Sequence, residues 1–249
     1  MRKIPANQRG VTLISLMIAL LIGSFLLAGL FQLWFRTRQT FSAQGQLALL
    51  QDNERMALTI MANTIQTGGY YPLYLNYIAP FPATPYSQTV SLPVSGVYAT
   101  QGQAIYGFST TTGTTTSDTL DVRFVADKNT LDCQGQSYAG GTYAVGSVVN
   151  NTYSVANGNL QCSVNGNTAV TIVSGVASLS MLYSVAIPST TPQAYQYMTA
   201  ATVTTDNDWS NVQSAEIFLT FNNPLYGQAG QSQYIPQVSR VVALTQTAL

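Results

Sequence analysis

Val11-Thr12-Leu13-Ile14-Ser15-Leu16-Met17-Ile18-Ala19-Leu20 opens a run that carries no ionisable side chain as far as Phe35 (VTLISLMIALLIGSFLLAGLFQLWF, 25 residues). Coiled as an α-helix at 1.5 Å per residue, the run extends about 37 Å, enough to cross a ~30 Å hydrocarbon layer with some tilt. Trp34 and Phe35 stand where an interfacial aromatic anchor belongs, and Arg36 and Arg38 follow them. On the other flank lie Arg2, Lys3 and Arg9. The excess of positive charge there predicts a cytoplasmic N-terminus and an exported remainder. A secretory signal peptide fits poorly. Its apolar core is shorter and ends in small residues, whereas this run ends in the bulky, basic FQLWFRTRQ. Hydropathy alone leaves a plain single-pass anchor open.

The junction before the run is more specific. Gln8-Arg9-Gly10-Val11-Thr12-Leu13-Ile14-Ser15-Leu16-Met17 resembles the class III leader junction of type IV prepilins. The resemblance implies that a peptidase cuts between Gly10 and Val11 and that Val11 becomes the N-methylated first residue. Cleavage would remove Arg2, Lys3 and Arg9 and leave an apolar helix whose only terminal charge is its amine. At the fifth mature position, where most pilins carry glutamate, this chain has Ser15. That glutamate is expected to neutralise a neighbouring subunit's amine, and a buried unpaired ammonium costs several kcal/mol. Either the loss is tolerated in a single subunit, or the subunit occupies a filament tip, where no such amine is presented.

Beyond the membrane the helix is expected to continue. No proline occurs from Thr40 to Thr67, and Leu47, Leu50, Ala57, Met61 and Ile65 form one apolar stripe at helical spacing. Gly68-Gly69 then supplies a stop and Tyr70-Tyr71-Pro72 a turn. Gln51-Asp52-Asn53-Glu54-Arg55, closing with Gln66-Thr67-Gly68-Gly69-Tyr70, is similar to the PilW family of minor type IV pilins. Without that likeness, Glu54 and Arg55 read as a solvated helix face.

From residue 70 the pattern changes to short strands. Thr119–Val125, Val170–Val173, Val176–Val185 and Val212–Phe221 alternate polar and apolar residues, as does Tyr234–Thr245 less regularly. Pro72, Pro80, Pro82, Pro85 and Pro93 mark an irregular entry segment. The expected fold class is α+β, pilin-like: a long N-terminal helix, half membrane-spanning and half amphipathic, packed on an antiparallel β-sheet head. The expected organisation is leader 1–10, membrane or filament-core helix 11–35, amphipathic continuation 36–67 and β-rich head 68–249.

Composition narrows the chemistry. Charged residues make up 7% of the chain, about a quarter of the usual share. From residue 40 onward Arg55, Arg123, Lys128 and Arg240 face all nine carboxylates, a net of −5, which gives nucleic acid no bulk attraction. With no histidine, histidine triads and histidine metal sites are excluded. No nucleophile–base pair or phosphate-cradling loop is recognisable; Gly140-Gly141 is followed by neither lysine nor helix. No enzymatic activity and no cofactor are expected.

Cys133 and Cys162 are the only cysteines. In an exported chain they read as one structural disulfide, with two buried thiols or a zinc site as alternatives. Asp118, Asp121, Asp127 and Asp132 are the densest carboxylate group, and calcium is the one metal they suggest. Their spacing fits no EF-hand, and Asp121 is expected on the solvent face of its strand. Asp206-Asn207-Asp208 reads as turn chemistry.

The resemblance implies a minor pilin that primes a type IV pilus or sits at its tip, supporting twitching motility, attachment or DNA uptake. Implied partners are other minor pilins, the major pilin, the prepilin peptidase and the inner-membrane platform protein. The implied location is the inner membrane, with the head periplasmic, and then the pilus. A pseudopilin of type II secretion shares the leader and the architecture. A membrane-tethered adhesive or glycan-binding module is the alternative of another class.

Overall fold

Gly68 and Gly69 end the first element for two different reasons. A Cβ on Gly68 would lie 2.9 Å from Ile65 O and 3.1 Å from Val122 Cγ1, so only glycine fits so close to the neighbouring strand. Gly69 adopts φ +77°, the left-handed conformation that closes helices. The helix they terminate, α1, runs Leu13–Thr67. The chain then turns directly into a sheet, with Gly69 N donating to Arg123 O (2.9 Å) and Val125 N donating to Tyr70 O (2.9 Å).

The computed structural model describes residues 13–70, 72, 84–85, 97–98, 103–112, 115–137, 145–187 and 192–244. The expected leader cut between Gly10 and Val11, most of the proline-rich segment, Gly140-Gly141 and Thr245 lie outside these. The strands are β1 Thr84–Pro85, β2 Val97–Tyr98, β3 Ile105–Thr112, β4 Thr115–Val125, β5 Val148–Ala156, β6 Asn159–Val164, β7 Val170–Ser174, β8 Val176–Ala186, β9 Tyr195–Met198, β10 Val212–Phe221 and β11 Val238–Ala243. Helix α2, Ala200–Asp206, and a single 3-10 turn, Trp209–Asn211, separate β9 from β10. Among the described residues three antiparallel sheets form: β1-β2, the four-stranded β11-β10-β8-β9 and the five-stranded β3-β4-β5-β6-β7.

The chain divides into two compact units, Met1–Ala48 and Leu49–Leu249. In the second, one hydrophobic cluster joins the C-terminal turns of α1 to both larger sheets. Ala57, Met61, Ala62 and Ile65 contribute from the helix, with Leu120, Val122 and Phe124 from β4 and Leu179, Met181 and Ile217 from the other sheet. Burial of the larger of these side chains, from valine upward, contributes roughly 1.5–3 kcal/mol each. Side chains also bridge the two sheets. Ser117 Oγ accepts from Leu179 N (3.1 Å) and donates to Leu179 O (3.3 Å), and Asp118 Oδ2 accepts from Met181 N (2.7 Å).

The structure extends or trims several expectations. The four regular strands are present, with β4 beginning at Thr115 and β8 reaching Ala186. The last begins only at Val238, because Pro236 interrupts the run and leaves Tyr234 in an isolated bridge with Asn222. The hairpin β5–β6 was not anticipated. Its turn, Asn157-Gly158, has φ of 52° and 72°, both positive as a type I′ turn requires.

Candidate functional site

The apolar part of α1 is the first candidate surface. Among the described residues it is the one helix long and apolar enough to cross a membrane, and its apolar window is not buried within the molecule. Leu13 and Phe25 are each 74% exposed, and Leu27 and Phe31 nearly as much. Two of the polar side chains nearby bond back to their own helix. Ser24 Oγ donates to Leu21 O and Thr37 Oγ1 to Leu33 O, both at 2.8 Å. Such internal satisfaction is what lipid or an apolar protein interior demands. At its end, Phe31 and Trp34 lie 5.9 Å apart, and the Arg38 guanidinium sits 5.2 Å above the Trp34 ring. Ser15 falls in the first described turn of the helix, on an exposed face.

From Leu49 onward α1 behaves differently. Ala57, Met61 and Ile65 recur every fourth residue and are wholly buried, while Leu50 is half-buried. Thr64 Oγ1 and the Tyr153 hydroxyl share a buried hydrogen bond of 2.7 Å, and Asn53 Nδ2 donates to Ser174 O at 3.3 Å. Burial pushes the Tyr153 hydroxyl well above its ordinary range, with the Thr64 bond working against that shift. Glu54 is half-buried and desolvation raises its carboxyl, so it is more than a freely solvated side chain; Arg55 is exposed.

Cys133 and Cys162 are joined by a disulfide, with Cα atoms 6.2 Å apart. It ties the segment after β4 to β6, and Gln134 Nε2 reinforces the tie by donating to Cys162 O (3.1 Å).

The four carboxylates do not converge. Asp118 is held by Met181 N and Ser109 Oγ. Asp127 accepts from Lys128 N and, at 3.5 Å, from the Tyr70 hydroxyl. Asp132 Oδ1 accepts from Gln134 N (2.9 Å) and Gln136 N (2.8 Å), closing a turn. Among the described residues no group of three acidic or thiol side chains is placed to hold a metal. Asn207 takes the left-handed conformation that ends α2, and Asp208 accepts from Asn211 Nδ2, consistent with turn chemistry.

Asp121 overturns its expected place. It is 1% exposed, not on a solvent face. The polar face of β4 is covered, so alternation there reports two buried faces rather than one. Thr152 Oγ1 donates to Asp121 Oδ1, with Asn150 Nδ2 more distant at 3.4 Å, while Oδ2 has no hydrogen-bond partner among the described residues. Desolvation raises this carboxyl to about 6 against the two hydrogen bonds, which favour the charged form. Nearby, Asn150 Oδ1 accepts from the Tyr98 hydroxyl (2.7 Å), and the Arg123 guanidinium lies 4.0 Å over the Tyr98 ring. Arg123 Nε donates to Gln103 O (2.6 Å), and burial lowers its guanidinium to about 10. Sequence reasoning missed this cluster. The one available signal was an Asp-x-Arg pair inside an otherwise apolar strand.

Residues 5–31 match the prokaryotic N-terminal methylation motif, so the chain carries that motif at the head of its apolar helix. Among solved structures, the chain is similar to a type IV-like pilin from Thermus thermophilus, at 13% identity and a TM-score of 0.42, covering 78% of this chain and 96% of that one. No curated protein matches the sequence.

Proposed function

We propose that this chain is a minor pilin of the PilW kind, made as a prepilin and assembled into a type IV pilus, with no catalytic role of its own. The observation that carries the reading is the methylation motif at residues 5–31 running directly into a helix free of ionisable side chains as far as Phe35. Cleavage between Gly10 and Val11 removes Arg2, Lys3 and Arg9, and Val11 is then methylated. The apolar turns of α1 pack first among lipid and then among the equivalent helices of other subunits. Extraction from lipid becomes feasible once the basic leader is gone, because dragging cations through hydrocarbon is costly.

Ser15 brings no negative charge to the position where a neighbouring amine would need one. That suits a subunit placed first in the fibre, at its tip. The prepilin peptidase, the inner-membrane platform protein, other minor pilins and the major pilin are the partners this role requires. The head resides in the periplasm before export, where the Cys133–Cys162 bond can form.

The test is fractionation of a strain expressing the chain with Gly10→Glu. The expected result is loss of the chain from sheared surface filaments and its accumulation, uncut, in the inner membrane. Unchanged filament association of the variant would defeat the reading.

A further inference from the structure

Within the unit beginning at Leu49, a groove of about 680 Å³ lies between α1, the loop bearing Cys133 and strand β7. Its apolar lining comes from Met56, Ile60, Leu131, Val170 and Ile172. Three of these are far more exposed than a core needs: Met56 at 50%, Leu131 at 58% and Val170 at 47%. Among the described residues from 49 onward six large aliphatic side chains are more than 40% exposed, the others being Leu49, Val145 and Val241. Half of them line this one groove. Single exposed aliphatic residues are ordinary, whereas a cluster in a concave surface marks a binding site.

The chemistry of the walls narrows the occupant. Asp132 is the groove's one ionisable lining residue, and its Oδ1 already accepts from Gln134 N and Gln136 N. The groove therefore offers an anionic ligand no counter-charge, and the one carboxylate on its wall opposes one. Asn63, Asn129 and Thr171 also line the groove; each is exposed and makes no side-chain hydrogen bond within the described residues. Amides and hydroxyls of this kind pair with peptide groups, which an acyl chain does not possess. Among the described residues β7 is the terminal strand of its sheet and pairs only with β6, so one side of its backbone has no described neighbouring strand. An edge strand beside apolar side-chain sites is the arrangement that strand addition uses.

We propose that this groove receives an uncharged, extended polypeptide segment of a partner protein, laid along β7 with its apolar side chains over Met56, Ile60 and Ile172. Walls with no cation and one carboxylate select against acidic segments, and Asn63, Asn129 and Thr171 satisfy backbone groups that β7 does not reach. This inference does not depend on filament assembly. A head on a simple membrane anchor would present the same groove.

The test uses the full chain in lipid nanodiscs with three probes. The first is the capped peptide acetyl-Gly-Thr-Val-Asn-Val-Thr-Val-Gly-amide, the second is the same peptide with its central Asn and following Val replaced by Glu, and the third is dodecanoate. Amide hydrogen exchange and chemical-shift titration are the readouts. The neutral peptide is expected to slow exchange at residues 170–172 and to bind at least about tenfold more tightly than the acidic one. Met56→Glu and Val170→Glu, both at exposed positions, should each abolish binding while leaving the thermal transition unchanged. Three results would overturn the proposal: no protection of β7 at millimolar peptide, equal binding of the acidic peptide, or competition by dodecanoate, which would mark an acyl-chain site instead.

Discussion

The two parts of α1 obey one backbone geometry and opposite packing rules. Leu13 and Phe25 are each 74% exposed, whereas Ala57, Met61 and Ile65 are fully buried. Both stretches satisfy their backbone groups through helical bonds, so the hydrogen-bond ladder is not what distinguishes them. The later turns belong to one apolar cluster with side chains of β4, β8 and β10 of their own chain. The earlier turns expose too much apolar surface for water, at about 25 cal/mol per Å². Stability of the head and competence of the apolar segment should therefore fail independently when mutated.

The sharpest way to break that contrast is a matched pair of acidic substitutions. Ile65→Asp puts an unpaired carboxylate into the core and should cost more than about 4 kcal/mol, abolishing the cooperative thermal transition of the detergent-solubilised chain. Leu26→Asp should leave that transition in place while impairing membrane insertion, checked by carbonate extraction. Next in size, Cys133→Ser with Cys162→Ser should lower head stability by roughly 3–4 kcal/mol, since it frees a loop of about 30 residues in the unfolded chain. Denaturant titration measures this, and reduction of the parent should reproduce it.

A third effect appears with pH. Asp121 titrates in the folded head at about 6, raised by burial from an ordinary value near 3.8. Below the unfolded value both states hold the proton, and its stabilising contribution is fully present. It is lost as pH rises from about 4 through about 6, where the native state alone retains the proton. Tyr106, Tyr183 and Asp118 face the same region, and the two phenols stay neutral throughout this window. The head should therefore be more stable near pH 5 than near pH 7 by roughly 1–1.5 kcal/mol, part of about 3 kcal/mol over the whole window. Asp121→Asn should flatten that slope, while a mutation in the apolar run, such as Leu26→Ala, should leave it unchanged.

Smaller again, Gly107→Ala should cost about 1–3 kcal/mol, because a Cβ there would meet the buried Tyr183 hydroxyl at 1.9 Å. Least of all, Asn157→Ala should cost about 1 kcal/mol by placing a less tolerant residue at φ 52° in the β5–β6 turn. Thermal melts of the two variants check both values.

Sequence made the helix legible because its signals are local. A charge-free run, a four-residue spacing of buried side chains and Gly68-Gly69 each act within a few turns. Asn157-Gly158 was an equally local hairpin signal, but Val148-Val149-Asn150-Asn151-Thr152 carries too much polarity to suggest a buried strand. Asn150 and Asn151 are nevertheless both 1% exposed. Their burial depends on partners far along the chain, such as Tyr98 and Asn165 for Asn150. Arg123 and Asp121 were opaque for the same reason. Alternation predicts which residues share a face, but not whether a second layer covers it. The close approach of Tyr183 to Gly107 joins two different sheets, and no sequence spacing reports it.

The central claim is that the apolar helix works only after its basic leader is removed. Intact-mass and N-terminal peptide mass spectrometry of the chain extracted from host membranes tests it most directly. The account predicts a mature polypeptide beginning at Val11 with one added methyl group on its amine. A functional chain that still carries Arg2, Lys3 and Arg9 would contradict it.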